Sequence, residues 1–424
     1  MVGIAGNAVS KTVDAKKELI NTGLTTISDL NLEQIRTRYK EALFNHFIPN
    51  MDKMVIDHEL GGFMCSVNIL TRQLVSTNKR AWFEGRGMWT YSYLYNNLDK
   101  NPKYLEVARK SKDFILKLLP KDGSFYISGF TREGKPLSDV EGDIYGNLFV
   151  AEGLAEYSKA TGDSKDFDLA KRIILKAVDR YDKPDFKYAY KAESRVAGPR
   201  ILGHWMILLS VTTQMLRQKA DTELQSLADR CVNAIMKHHL NAEYGVLNEA
   251  LGHDLGPLTD RIASQYGDIG HGSETLAFVM NYAVLRKDAN LFKESSEAFK
   301  RHVTLAKDTV YGGHFHVLEN VDANIFTLGK VRWLQEEIMN GAFTLIEHTG
   351  DQWALNCFAE TEKYVREKFV RPEYAFVIDS GDRKMEKYSM VRAEHYHHPR
   401  QLMVTLVAIE RIMSRGGKPS GIFG

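Results

Sequence analysis

The sequence predicts an all-α protein, an (α/α)6 barrel of six helical hairpins with long loops and short β segments at one mouth. Three observations carry this reading. Apolar residues recur at helical spacing in about twelve segments of the 424-residue chain. The connections between segments are in part tight turns and in part long stretches, in alternation. Several long stretches hold glycine-rich or β-rich runs, among them Gly61-Gly62-Phe63 and Tyr311-Gly312-Gly313-His314-Phe315.

The striped segments fall near 31–47, 80–97, 102–119, 143–161, 165–182, 200–218, 221–238, 271–286, 289–306, 329–348, 351–368 and 400–414. Tight turns such as Thr161-Gly162-Asp163, Arg286-Lys287-Asp288 and Thr349-Gly350-Asp351 join some of them. The long connections are 48–79, 120–142, 183–199, 239–270, 307–328 and 369–399. Short turns make antiparallel hairpins, so the long loops collect at one end. In a closed ring each helix that follows a long loop is an inner one. An open solenoid is the alternative, but no repeated consensus marks the segments, and solenoid loops are usually short. Residues 1–28 read as a poorly ordered extension, 29–413 as one barrel domain and 414–424 as a flexible Gly-rich tail.

Composition narrows the function. Lys plus Arg is 56 and Asp plus Glu is 54, a formal charge of +2, which gives no support to nucleic-acid or anionic-membrane partners. No apolar stretch reaches bilayer length. The N-terminus lacks the pattern of a signal peptide. Cys65, Cys231 and Cys357 are odd in number and far apart, which predicts buried, reduced thiols in a cytoplasmic protein. Phosphate-binding loops, dinucleotide fingerprints and serine elbows are absent.

The unusual polar residues fall on or just before the expected inner helices. His271, in Gly270-His271-Gly272-Ser273-Glu274, and His397, in Tyr396-His397-His398-Pro399-Arg400, sit where helices begin. The positive helix N-terminus predicts a neutral imidazole at each, able to accept a proton. Two such rings facing one cavity suit proton removal and return at one carbon. Glu274 shares a helix face with His271, and Asp268 or Ser273 suits the cap. Arg86 lies between two helical glycines amid aromatics, which fits either a ligand contact or a core carboxylate. Trp333 and Glu337, four apart, put an aromatic wall beside a carboxylate, as a sugar site requires. Glu336 and Glu337 are adjacent, so only one shares that face. Arg400 opposes the helix dipole and so predicts a partner carboxylate or ligand oxygen. His395, His397 and His398, or His314 with His316, offer a metal alternative, although no Cys or Asp ligands flank them. Glu274 and Glu337 also read as the carboxylate pair of a glycoside hydrolase.

Together these residues resemble the N-acylglucosamine 2-epimerase family, which includes cellobiose 2-epimerases and aldose–ketose isomerases. The matching stretches are Asp57–Phe63, Trp82-Phe83-Glu84-Gly85-Arg86, Ala151–Tyr157 with Thr161-Gly162-Asp163, Gly270–Glu274, Lys330–Glu337 and Tyr396–Arg400. The Phe-x-Gly-Arg form around Arg86 is closer to the N-acylglucosamine branch. The resemblance implies an (α/α)6 barrel without cofactor or metal, acting by proton transfer at C2 of a reducing sugar. It implies His271 and His397 as the catalytic pair. It implies Arg86, Glu274, Glu337 and Arg400 as substrate-binding groups, with Glu337 rather than Glu336 facing the sugar. The expected reaction interconverts N-acetylglucosamine and N-acetylmannosamine. The alternatives are an aldose–ketose isomerase, a 2-epimerase of another hexose or disaccharide, a glycoside hydrolase and a non-enzymatic sugar-binding barrel. A homodimer is a further expectation.

Overall fold

The computed structural model describes residues 23–27, 30–186, 188 and 196–423. Helices dominate it. We number them α1 (Leu32–Lys40, continuing through a π-helical stretch Glu41–Phe47 to Ile48–Met54), α2 (Ala81–Asn97), α3 (Pro102–Leu116), α4 (Ile144–Thr161), α5 (Ser164–Tyr181) and α6 (Leu202–Gln218). There follow α7 (Thr222–Asn233, prolonged by Ala234–His239), α8 (Ile269–Arg286), α9 (Ala289–Ala306), α10 (Arg332–Thr349), α11 (Gln352–Lys368) and α12 (His397–Ser414). A single extra turn, Arg261–Ser264, interrupts the fourth long loop.

Local chemistry sets the ends. Asp143, Asp163, Asp221, Asp268, Asp288 and Asp351 each accept a backbone N–H of the helix they precede. Asn31 and Gln34 form a reciprocal capping box on α1. Gly162 and Gly350 take the left-handed conformation that ends α4 and α10.

Burial sorts the helices into two rings. On α5 the buried residues Phe167, Ala170, Ile173, Ile174, Ala177, Val178 and Tyr181 form one stripe. On α4 nearly every residue from Gly146 to Ser158 is buried. A helix apolar all round belongs inside. The even-numbered helices follow α4: α2, α4, α6, α8, α10 and α12 each pack on the next, and α12 returns to α2. The ring is therefore closed, not an open solenoid. Five outer–inner pairs are hairpins joined by short turns. The sixth is α12 against α1, drawn from opposite ends of the chain.

Two boundaries differ from the sequence reading. The last helix begins at His397 rather than near 400, because His397 and His398 already adopt helical geometry before Pro399. The first helix reaches Met54 because a π-helical stretch carries it past Phe47.

Most of the extension, residues 1–22 and 28, lies outside the described residues. Leu24 and Ile27 are buried, and the Leu24 N–H donates to the Gly417 carbonyl at 2.7 Å. The tail is docked rather than loose. Phe423 packs on Phe292 at 4.5 Å between centroids, and Ser420 bonds Glu347 and His348. All three cysteines are free and buried.

The long loops lace together above one end of the ring. Antiparallel pairs join Arg200–Ile201 to Ala250–Leu251, Gly267–Asp268 to Val317–Asn320, and Lys330–Val331 to Ser380–Gly381. Ile69 bonds Met390 and Ala375, which ties the last loop to the first. No helix among the described residues is long and apolar enough to cross a membrane.

Candidate active site

The loop mouth holds the two histidines, each on the first turn of an inner helix. Asp268 caps α8 by accepting the His271 N–H at 2.9 Å, which fixes that residue within the first turn. The His271 ring then reaches Glu249 across the mouth, with Nδ1 2.9 Å from Oε1. His397 opens α12, and its Nδ1 lies 2.8 Å from Glu337 Oε1 on α10. Each imidazole thus has its Nδ1 held by a buried carboxylate.

Trp333 stands between them. Its ring centroid lies 5.8 Å from that of His271 and 5.2 Å from that of His397. His316 braces the indole edge-on at 4.9 Å and lies 3.3 Å from Asp268. Gly270 makes room, since a Cβ there would run into Trp333 and His316.

Below lies a cluster of charge. Arg400 on α12 bridges Glu274, at 2.6 Å, and Glu337. Asn340 donates to Glu337 at 3.0 Å. Burial disfavours the Glu337 anion, but Arg400 and His397 outweigh it and hold the carboxyl down at about 2. Glu274 goes the other way: burial and the neighbouring Glu337 raise it. Glu274, Glu337 and His397 offer three donor atoms within 4.8 Å of one another, a set that also suits a cation. The Arg400 guanidinium already supplies positive charge to both carboxylates.

Arg86 resolves an ambiguity. Its guanidinium meets no carboxylate in an ion pair among the described residues. It lies between the rings of Phe149 (4.1 Å), Tyr396 (4.7 Å) and Trp82 (5.0 Å), and its Nε has no hydrogen-bond partner. The flanking glycines permit this. A Cβ on Gly85 would strike the Phe149 carbonyl of α4, and one on Gly87 the Phe63 ring. Tyr396 donates in turn to the buried Glu152, at 2.9 Å. Burial raises Glu152 to about 7. Glu152, Tyr396, Glu337 and Arg400 also line the inner end of a cavity of about 950 Å3 that runs down the ring towards its short-turn end.

The structure corrects one expectation. His271 is not kept neutral by its helix. Burial favours the neutral ring, but Glu249 and then Asp268 overcome it and push the imidazole up to about 10. Two carboxylates outweigh half a unit charge at a helix end. Among the described residues, the histidines within each run do not converge on one another either. His395 bonds the Phe83 carbonyl and Cys65, His398 bonds Glu336, and His314 bonds Gln335. Glu336 is buried on the far side of α10 with Arg332 and His398.

His271, His397, Arg86, Glu274, Trp333, Glu337 and Arg400 therefore meet at one mouth. Glu249 has no place in the sequence reading, Glu152 and Tyr396 enter it only within longer motifs, and His316 only as part of a metal alternative. Glu249 sits on an irregular loop with no periodicity to mark it.

An inner ring of six helices with this polar mouth defines a class of barrel enzymes, and comparison with known proteins places the chain within it. Residues 61–400 match the family model of N-acylglucosamine 2-epimerase (GlcNAc 2-epimerase). The chain belongs to this family, and so to the carbohydrate isomerases. It is 27% identical to the N-acylglucosamine 2-epimerase of Bos taurus over 341 residues, 75% of this chain and 77% of that protein. It is 22% identical over 327 residues to the cellobiose 2-epimerase of Dictyoglomus turgidum, 74% of this chain and 81% of that one. In structure it resembles cellobiose 2-epimerase from Bacillus thermoamylovorans, with a TM-score of 0.76 at 17% identity, covering 89% of this chain and all (100%) of the other.

Proposed function

We propose that the protein interconverts the C2 epimers of a reducing sugar, N-acetylglucosamine and N-acetylmannosamine first among them, by proton transfer between two histidines. The observation that carries this reading is the pair of imidazole–carboxylate couples on either side of Trp333. The bound sugar opens to its aldehyde, which acidifies the C2 hydrogen. One imidazole removes that proton, and the electron pair moves onto the carbonyl oxygen. Arg86 meets the oxygen charge, as a donor fixed before the reaction begins. The other imidazole returns a proton to the opposite face of C2. Because Glu249 and Asp268 hold a proton on His271, His271 enters the cycle as the donor and His397, oriented by Glu337, as the base.

The relative from Bos taurus supports the N-acylated hexose, as does the Phe-x-Gly-Arg form around Arg86. Glu274 and Glu337 are both ion-paired to Arg400, and the two imidazoles offer proton-transfer groups beside them, which favours the epimerase over a glycoside hydrolase. Return of the proton to C1 instead would make the same site an aldose–ketose isomerase. Incubation with a panel of reducing sugars in heavy water, read by NMR, separates these outcomes. A C2 epimer with deuterium at C2 supports the proposal, and a ketose as the first product moves it to the isomerase. No label in any sugar overturns it. His271→Ala and His397→Ala are each expected to abolish turnover. Full C2 exchange in either single variant refutes the two-histidine mechanism.

A further inference from the structure

The loop mouth contains a repeat that the sequence hides. Residues 57–132 and 308–383 share a set of contacts at a constant offset of 251 positions. Asp57 and Asp308 each open a tight Gly-Gly loop. The Asp57 N–H donates to Gly62 at 2.9 Å, and that of Asp308 to Gly313 at 2.8 Å. A buried lysine pairs with each aspartate at 3.0 Å, Lys79 in one copy and Lys330 in the other. An arginine 75 residues on closes each cluster in bidentate fashion, Arg132 at 2.7 and 2.8 Å, Arg383 at 2.9 and 3.0 Å. The amide after each Gly-Gly donates at 3.0 Å to the next inner helix, Phe63 to Glu84 and His314 to Gln335.

Each strut holds the start of an inner helix, α2 in one copy and α10 in the other. Both helices carry a half-buried tryptophan as their second residue, Trp82 and Trp333. Four residues on come Arg86 and Glu337. Because α2 and α10 are the two inner neighbours of α12, the copies flank the helix that bears His397 and Arg400. A continuous row spans the gap: Trp82 on Arg86 at 5.0 Å, Arg86 on Tyr396 at 4.7 Å, Tyr396 on His397 at 5.4 Å, His397 on Trp333 at 5.2 Å.

We infer that Trp82 is a second sugar-contacting wall, placed on the flank of α12 opposite Trp333, its half-buried indole meeting the substrate beside Arg86 while Phe83 stacks on it at 5.2 Å. The inference rests on the sugar-epimerase reading. An indole presents a broad apolar face with little side-chain entropy to lose, which suits the C–H face of a hexose. The buried struts hold both walls in place before substrate arrives. Trp82 also covers one face of Arg86, so substrate stacked there excludes water from the guanidinium that meets the developing charge.

The test compares wild type with Trp82→Ala and Trp82→Leu. Trp82→Leu fills much of the ring's volume but offers no aromatic face. Turnover is measured with the sugar the wild type epimerises, and binding with the corresponding alditol, which cannot enolise. Both variants are expected to raise KM and the alditol Kd about tenfold, as one lost stacking face predicts, with a smaller fall in kcat. If Trp82→Ala does not fold, Trp82→Leu decides. Unchanged KM and Kd in a folded variant, or a loss confined to kcat, overturns the inference and leaves the epimerase reading intact. Absence of turnover of every sugar by the wild type removes the epimerase reading, and the inference with it.

Discussion

His271 shows how a single residue's partners set its chemistry. A histidine ordinarily titrates near 6.5, yet Glu249 and Asp268 push this one up to about 10. The folded state therefore binds a proton that the unfolded chain sheds. The stability this contributes is fully present below about pH 6.5 and is lost as pH rises through about 10. Replacing Glu249 with Gln removes the larger of the two charges. The alkaline limb of kcat/KM is then expected to move to lower pH, since the protonated ring empties sooner. An unmoved limb in Glu249→Gln means that His271 is not the group titrating. Gly270 is a second residue-scale test. A methyl group there meets Trp333 and His316, so Gly270→Ala is expected to lower kcat/KM more than tenfold. The stability change should be about 1–3 kcal/mol, the usual range for overpacking. Equal activity in Gly270→Ala means that the position of Trp333 is not critical. The paired residues of this mouth were only partly legible in the sequence. His271, Glu337 and Arg400 lie on helices whose period fixes their facing. Glu249 reaches His271 from a loop whose path no local rule prescribes.

The inner helices gain their order from contacts that the outer ones lack. Where α2 crosses α4, Gly85 and Gly153 face each other's helix, and a Cβ on Gly153 would lie 2.6 Å from the Gly85 carbonyl. Backbone meets backbone there, so neither side can yield by changing rotamer. Gly85→Ala is expected to cost several kcal/mol, seen as a large drop in melting temperature, because the two helices must separate. An unchanged melting temperature excludes this close approach. Separation would also move Arg86, whose guanidinium rests on Phe149 of α4. Elements of this kind were well marked in the sequence, since the short turns carry Gly or Asp where a helix ends or starts. The start of α12 was misplaced because Pro399 suits the first turn of a helix as well as its first residue. The paired Asp–Lys–Arg struts are not legible in the sequence, for a different reason. They agree at a handful of positions spread over 76 residues, from 57 to 132, and only their shared contacts reveal them.

At the scale of the whole molecule, ring closure governs the site. The mouth is assembled from loops that precede the inner helices, and several neighbouring loops are tied by short antiparallel pairs. The floor of charged and aromatic groups belongs to α4, α8, α10 and α12 together. Loosening one loop should therefore disturb residues that are distant in sequence. Asp308→Asn weakens the strut of the fifth loop, far from His397 in the chain. It is expected to lower the affinity for sugar with little effect on the helical circular dichroism signal. Loss of the helical signal instead would make the strut a folding element rather than a positioning one. The ring itself was legible from the alternation of connections. The way its last pair closes was not, because it joins the two ends of the chain.

That closure makes the order of hairpins along the chain an accident of where the ring is opened. Leu24 and Gly417 are already hydrogen-bonded neighbours, so a short peptide can bridge them. New ends cut at Thr161-Gly162-Asp163, on the turn side, would then leave every loop of the mouth uninterrupted. Such a circular permutant is expected to fold and to turn over its sugar. A permutant opened within 307–328 should fold with its mouth undone, because that cut severs the tie between Asp268 and Val317. The position of the break, rather than the number of breaks, would decide which permutants are enzymes.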